Sequence, residues 1–255
     1  MKIGATRNGR SFVAVVSLRN GSRPHNDLRN VHETMNGIPL FPLGLVLYPE
    51  EELPLHIFEP RYRELVADCL EEKRPFGIVL FHEGEMSEVG CVAQIERVVR
   101  AHDDGRKDIL VEGVDRMRVL QVRQDKSYIT ADVEIIDDAE QPIDFNLRER
   151  VIAQHIKLLE LAGRMPAPTI YQDRRLLSFF IAHNAGLTVE QKQEVLEMNG
   201  EADRLDFLAG HLERFIPMVE EVESIRAKVL SNGHFKDFPI GGVQESDGGA
   251  SDEPG

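Results

Sequence analysis

A chain of 255 residues, 42% of them hydrophobic and 29% charged, is long enough to bury a sizeable core as one large or two small domains. Its net charge of −14 argues against a partner held mainly through phosphates, and no apolar run approaches the ~20 residues that cross a bilayer. Two cysteines, Cys69 and Cys91, are too few for a disulfide scaffold and predict buried free thiols in a reducing, cytoplasmic setting.

Residues 1–34 stand apart from the rest. Six bases (Lys2, Arg7, Arg10, Arg19, Arg23, Arg29) face two acids (Asp27, Glu33), so the remainder of the chain carries −18. Phe12–Leu18 has strand character but is too short for a secretion signal, and no small-residue cleavage site follows it. Met35 comes directly after. The segment is expected to be a loose basic arm, or to precede a natural start of translation at Met35; the intact mass of the endogenous protein separates the two.

Next comes Ile38-Pro-Leu-Phe-Pro-Leu-Gly-Leu-Val-Leu-Tyr-Pro49, then Leu53-Pro-Leu-His-Ile-Phe-Glu-Pro-Arg-Tyr62. Pro39, Pro42, Pro49 and Pro54 each remove a backbone donor, which suits edge strands and strand ends. Pro60 fits the first position of a helix, with Glu59 near the positive end of its dipole. Tyr62, Leu65, Val66, Cys69 and Leu70 recur on one helical face, and the helix is expected to end near Lys73-Arg74-Pro75.

Short strands come next. Phe76–Phe81 reads as a buried run before the turn His82-Glu-Gly-Glu, and Val89–Arg100 mixes apolar runs with alternation. Asp103-Asp104-Gly105 is a turn signal before Ile109–Val111, and Glu112-Gly113-Val114-Asp115 reads as a second break before Met117–Val122. Tyr128–Ile136 alternates once more. Tight turns between short strands predict a small antiparallel, barrel-like sheet, with the helix at 60–73 covering one opening.

Asp137–Pro142 marks a boundary where the period changes from 2 to 3.6. A helix over about 146–162 places Val151, His155, Leu158, Leu159 and Ala162 on one face, with Gly163 at its end. Leu176–Ile181 opens a short apolar helix. Thr188 and Gln191 form a capping box for a helix carrying Val195 and Leu196. A long helix over about 202–230 carries a stripe from Leu205 to Val219 and contains Pro217. Residues 241–255 have the composition of a disordered tail.

The segments PLFPL, VLYP and LPLHIFEPRY, with the later GCVAQIERVVR and ILVEGVDRMRVL, resemble the N-terminal substrate-binding domain of the Lon proteases, and more closely the small bacterial proteins made of that domain alone. The similarity covers roughly 37–230; the run through HIFEPRY is its most specific part. It implies an α+β fold: a PUA-like β-module over 35–137 and a helical bundle over 138–234, flanked by the basic extension 1–34 and a disordered acidic Gly-rich tail over 235–255. It also implies a role in holding polypeptide clients, without proteolysis. Candidate binding residues within the family's run are Phe41, Pro42, Leu43, Pro54, Leu55, Phe58, Glu59, Arg61 and Tyr62. Read from residue type alone, the apolar ones are first core and edge-strand positions, and Glu59 and Arg61 first stabilise the helix start.

A whole Lon protease also needs a phosphate-cradling GxxxxGK[ST] loop and a serine–lysine dyad. Neither is in this sequence, and nor are GxSxG, HExxH or a cysteine–histidine zinc pattern. No enzyme activity, cofactor or metal is expected. His102-Asp103-Asp104 reads as a solvated turn, because nothing at ligand spacing completes it; His56, His155, His183 and His211 read as packed or surface histidines, and Glu50-Glu51-Glu52 as an exposed loop tip. The leading expectation is a non-enzymatic binder of exposed apolar or unfolded segments in protein quality control, with an ATP-dependent protease as a candidate partner and no membrane partner. The alternative is a PUA-like nucleic-acid or small-ligand module using Arg97, Arg100, Arg106 and Lys107, which 38 acids against 24 bases over residues 35–240 disfavour.

Overall fold

The computed structural model describes residues 33–172 and 176–232. The expectations for Phe12–Leu18 and for the tail after residue 234 lie outside the described residues. Six strands come first: β1 (Thr34–Leu43), β2 (Glu52–Ile57), β3 (Phe76–His82), β4 (Glu85–Ala101), β5 (Lys107–Arg123) and β6 (Thr130–Ile136), with helix α1 (Pro60–Glu72) between β2 and β3. Pairing begins at Thr34, and the Glu33 carbonyl accepts from the Ile135 N–H at 2.9 Å, so the β-module starts just before Met35.

The strand order is β2-β5-β4-β3-β1-β6, and β6 returns to pair with β5. Five strands therefore close on themselves. β5 lies along β4 on one flank and shares the other, Lys107–Glu112 with β2 and Arg116–Arg123 with β6. Among the described residues β2 pairs with β5 only, so its second flank is an open edge. The α+β, barrel-like arrangement is as expected, but the sheet is mixed: β1 and β3 run parallel. The long connection through β2 and α1 permits this, since parallel neighbours need a crossover rather than a hairpin.

β1 is also an inner strand rather than an edge. Its prolines are tolerated because its two halves have different neighbours, Thr34–Pro39 with β6 and Leu40–Leu43 with β3. The break expected at Glu112–Asp115 is a bulge inside one continuous strand. Val92 faces Asp115 and Ala93 faces Gly113, which leaves Val114 as the extra residue. Gly113 serves close approach there: a Cβ on it would lie 2.1 Å from the Tyr48 carbonyl oxygen.

α1 begins with Pro60 after an extended Glu59 and ends with Lys73 in the left-handed region at φ 52°. Its buried face (Tyr62, Leu65, Val66, Cys69) packs against Phe41, Leu47, Ile57, Phe76, Ile78 and Val111, while Leu70 stays exposed. Each such buried side chain contributes roughly 1.5–3 kcal/mol.

The helical half comprises α2 (Phe145–Leu161), a 3₁₀ turn (Pro168–Tyr171), α3 (Leu177–Asn184), α4 (Val189–Glu197) and α5 (Glu201–Asn232), which continues through Pro217. Asp144 caps α2 through the Asn146 N–H at 2.9 Å. Gly163, at φ +73°, ends it: the N–H groups of Gly163 and Arg164 donate to the Glu160 and Leu159 carbonyls at 2.9 and 2.8 Å. The capping box of Thr188 and Gln191 is formed in full. Leu158, Leu177, Phe179, Leu205, Leu208 and Leu212 share one core with Val46, Tyr48, Leu80 and Val89 of the β-module.

Polar groups fasten this seam. Arg204, fully buried, reaches both Asp138 oxygens, Glu201 at 2.9 Å and the Ser178 hydroxyl at 2.7 Å. Arg116 of β5 donates to the Leu196 and Met198 carbonyls at 3.0 and 2.7 Å and to Asp138 at 2.7 Å. The Tyr48 hydroxyl donates to the Lys192 carbonyl and the Gln193 amide to the Val89 carbonyl, both at 3.0 Å.

Candidate functional site

A groove of about 460 Å³ opens where the end of β1, the strand β2 and the start of α1 meet. Eight of the nine sequence-predicted residues line it: Phe41, Pro42 and Leu43 from β1, Leu55 from β2, Phe58 beyond it, and Glu59, Arg61 and Tyr62 at the helix start. Pro54 does not; it lies exposed on β2, opposite Leu110 of β5. Strand register and a proline-started helix thus gather one contiguous run of sequence around a single concavity.

The buried Phe41 and Tyr62 rings lie 4.1 Å apart, tilted by 37°, with Phe76 6.4 Å from Phe41. The Arg61 guanidinium sits 4.5 Å from the Tyr62 centroid and pairs with Glu59 at 2.9 Å. Burial raises the Tyr62 phenol above its ordinary pKa, with Arg61 pulling the other way. Glu59 makes no side-chain cap, so it holds Arg61 rather than the helix amides. Phe58 and Phe81 remain 59% and 48% exposed. Two large apolar rings thus stand half in water at the mouth of this groove.

Sequence reasoning missed His56, Ile57, Phe81, Met86 and Ile129. Phe81 belongs to a run read as buried, but burial in β3 stops at Leu80, where the strand leaves the core. The turn His82-Glu-Gly-Glu was the signal that could have shown it. Met86 and Ile129 come from distant segments and carry no local sign.

The sequence matches the ATP-dependent protease La (LON) substrate-binding domain over residues 37–214, well over half of the chain. The chain belongs to this family. It is 24% identical over 218 residues to the Lon protease of Dictyoglomus thermophilum, covering 80% of this chain and 27% of that protein. Against the Lon protease of Escherichia coli K12 the figures are 26% over 211 residues, 75% and 26%. The chain thus spans about a quarter of the length of these curated relatives. The Lon N-terminal domain protein from Xanthomonas campestris superposes with a TM-score of 0.53 at 24% identity, covering 69% of this chain and 98% of that one. The N-terminal domain of the Mycobacterium avium complex Lon protease gives 0.51 at 17%, covering 71% and 98%. At these identities the structural likeness is one of fold.

This Lon substrate-binding domain has a second, smaller cleft of about 200 Å³ between the turn Pro49–Glu52 and the α3 region at Leu176, Phe179, Phe180 and His183. Glu51, expected at a loop tip, is held there by His183 at 2.7 Å and by the Tyr48 N–H at 3.0 Å. Both cysteines are free and buried; burial pushes the Cys69 thiol up to about 11 and raises Cys91 further, so neither is a ready nucleophile. Arg106, one of the four bases considered for nucleic acid, is taken up by Asp104 at 2.7 Å. His102 lies beside Asp108 and His56. Among the described residues no helix is long and apolar enough to cross a membrane.

Proposed function

We propose that this chain binds extended apolar segments of other polypeptides in the groove between β1, β2 and α1, acting by binding alone and making or breaking no bond. The observation that carries the reading is the pairing of half-exposed Phe58 and Phe81 with the open flank of β2 beside the same groove. An extended client can add its backbone to that flank while alternate side chains enter the apolar hollow. Membership of a substrate-binding family supports the same reading. Because the client is ordered on binding, affinity is modest, selectivity favours unfolded chains, and ATP plays no part. Handing the client to an ATP-dependent protease completes the proposed role in quality control.

Binding to permanently unfolded casein, followed by fluorescence anisotropy, tests this. Saturable binding independent of ATP is expected, weakened about tenfold or more by Phe58→Ser with Phe81→Ser, since a groove anchor contributes more than about 1 kcal/mol. No binding at several-fold excess, or binding indifferent to both substitutions, overturns the proposal.

A further inference from the structure

Two histidines and an aspartate from two stretches of sequence, β2 and the β4–β5 hairpin, converge at the rim of the groove. The antiparallel register of β2 and β5 places His56 opposite Asp108. The hairpin from β4 to β5 brings in His102, whose N–H donates to the Arg106 carbonyl at 2.9 Å while its carbonyl accepts from the Gly105 N–H at 3.0 Å. Gly105 takes φ +85°, which closes the turn and fixes the position of His102. His56 Nδ1 is then 2.5 Å from Asp108 Oδ1, and His102 Nε2 is 2.9 Å from Asp108 Oδ2. One donor atom from each of the three lies within 4.8 Å of the others. The two imidazoles meet edge to face, 5.9 Å apart at 85°, so both point ring nitrogens at the carboxylate and they do not stack on each other.

Other histidines show what an ordinary ion pair looks like in this chain. His82 meets Glu190 at 2.9 Å and His183 meets Glu51 at 2.7 Å, each as one imidazole with one carboxylate. The grouping at Asp108 differs in kind. Two imidazole nitrogens and one carboxylate oxygen form the donor set of three-ligand zinc sites, in which a fourth position is left to water. Asp108 already turns one carboxylate oxygen to each imidazole. The side chains of His56, His102 and Asp108 are 46%, 20% and 34% exposed, open enough for a hydrated ion to reach them. Small shifts of the three side chains suffice, since zinc binds such donors at ~2.0–2.2 Å.

We propose that His56, His102 and Asp108 form a binding site for a divalent transition metal of the zinc type. His56 also lines the groove, so the ion would sit at its rim. The site itself does not depend on what the groove holds.

The full-length chain, stripped with chelator, is titrated with Co²⁺ followed by visible absorption and with Zn²⁺ followed by calorimetry. One saturable equivalent with the visible bands of low-coordinate Co²⁺ is expected. His56→Gln, His102→Gln and Asp108→Asn should each weaken it at least about tenfold, a loss in the range that even outer partners of a metal show. His82→Ala with His183→Ala should leave it unchanged. Zn²⁺ added to the ¹⁵N-labelled wild-type chain should shift the ring nitrogens of His56 and His102 alone, a readout that needs no variant to fold. Absence of a saturable equivalent, survival of binding in all three ligand variants, its loss in the control, or shifts at other histidines would each overturn the site.

Discussion

The seam between sheet and bundle and the groove beneath β2 are both apolar in bulk, yet they are finished in opposite ways. At the seam, Arg204 and Arg116 share Asp138, and their remaining donors find Glu201, Ser178 and main-chain carbonyls. At the groove, Phe58 and Phe81 are left half in water, and one flank of β2 has no strand beside it among the described residues. A surface meant to stay shut satisfies its polar groups, because a buried charge without partners is costly. A surface meant to receive something keeps apolar area and backbone groups in reserve. The difference separates architecture from candidate site without reference to any relative.

The largest expected effect breaks the seam. Arg204→Leu leaves the buried Glu201 without its cation and removes half of the support of Asp138. Removing one partner from a buried network typically costs about 3–5 kcal/mol. Urea denaturation should show a loss of that size, partly restored by adding Glu201→Gln, which takes away the stranded charge. A loss below about 1 kcal/mol would mean the seam is held by apolar packing alone and the contrast with the groove is only apparent.

How much of this was legible beforehand differs between the same two regions. The groove lies mostly on one contiguous run, and proline spacing, the helix-start pattern of Glu59 and Pro60 and the aromatics of that run mark it; eight predicted residues line it. Of its far wall, Phe81 is marked only by the turn that follows it, and Met86 and Ile129 carry no local sign because closure of the sheet brings them there. The seam was nearly invisible. Arg116, Asp138 and Arg204 are ordinary charges in sequence, 22 residues or more apart, and only the fold pairs them. Gly113 is a third case, in which residue type marks the position and only the fold gives its role. A glycine in an apolar run signals a break or a bulge, and the carbonyl of Tyr48 pressed against it decides for the bulge. His102 likewise reads as part of an acidic turn, whereas its side-chain partners lie on β2 and β5.

A pH series sharpens the comparison from inside the bundle, where one buried ring has to stay in one protonation state. His155 of α2 is fully buried, with Nδ1 2.9 Å from the Tyr171 hydroxyl, and its Nε2 has no hydrogen-bond partner. Burial without an acid beside it lowers its pKa from 6.5 to about 4. The folded chain therefore prefers the neutral ring, and the unfolded chain takes up the proton first as the pH falls. Stability from this group is complete above about pH 6.5 and declines until about pH 4, by on the order of 3 kcal/mol. His155→Gln, which keeps a polar partner for Tyr171 but does not titrate, should lose that much less over the same interval. Equal slopes for the two proteins would show that the ring is already reached by water.

The smallest expected effect on stability comes from the groove, and its smallness is the point. Phe58 is 59% exposed and contributes no core contact of the kind Phe41 makes with Tyr62. Phe58→Ser should lower the unfolding free energy read from urea denaturation by no more than about 0.5 kcal/mol, with an unchanged slope, since one half-exposed side chain is a very small part of the area the whole chain exposes on unfolding. The same substitution is expected to weaken casein binding by far more than it weakens the fold. Under the proposed function, Phe58 at the mouth of the groove does little for the fold and serves the client instead. If Phe58→Ser instead destabilised the protein as Arg204→Leu does, the ring would belong to the core, and the distinction between the closed seam and the open groove would fall with it.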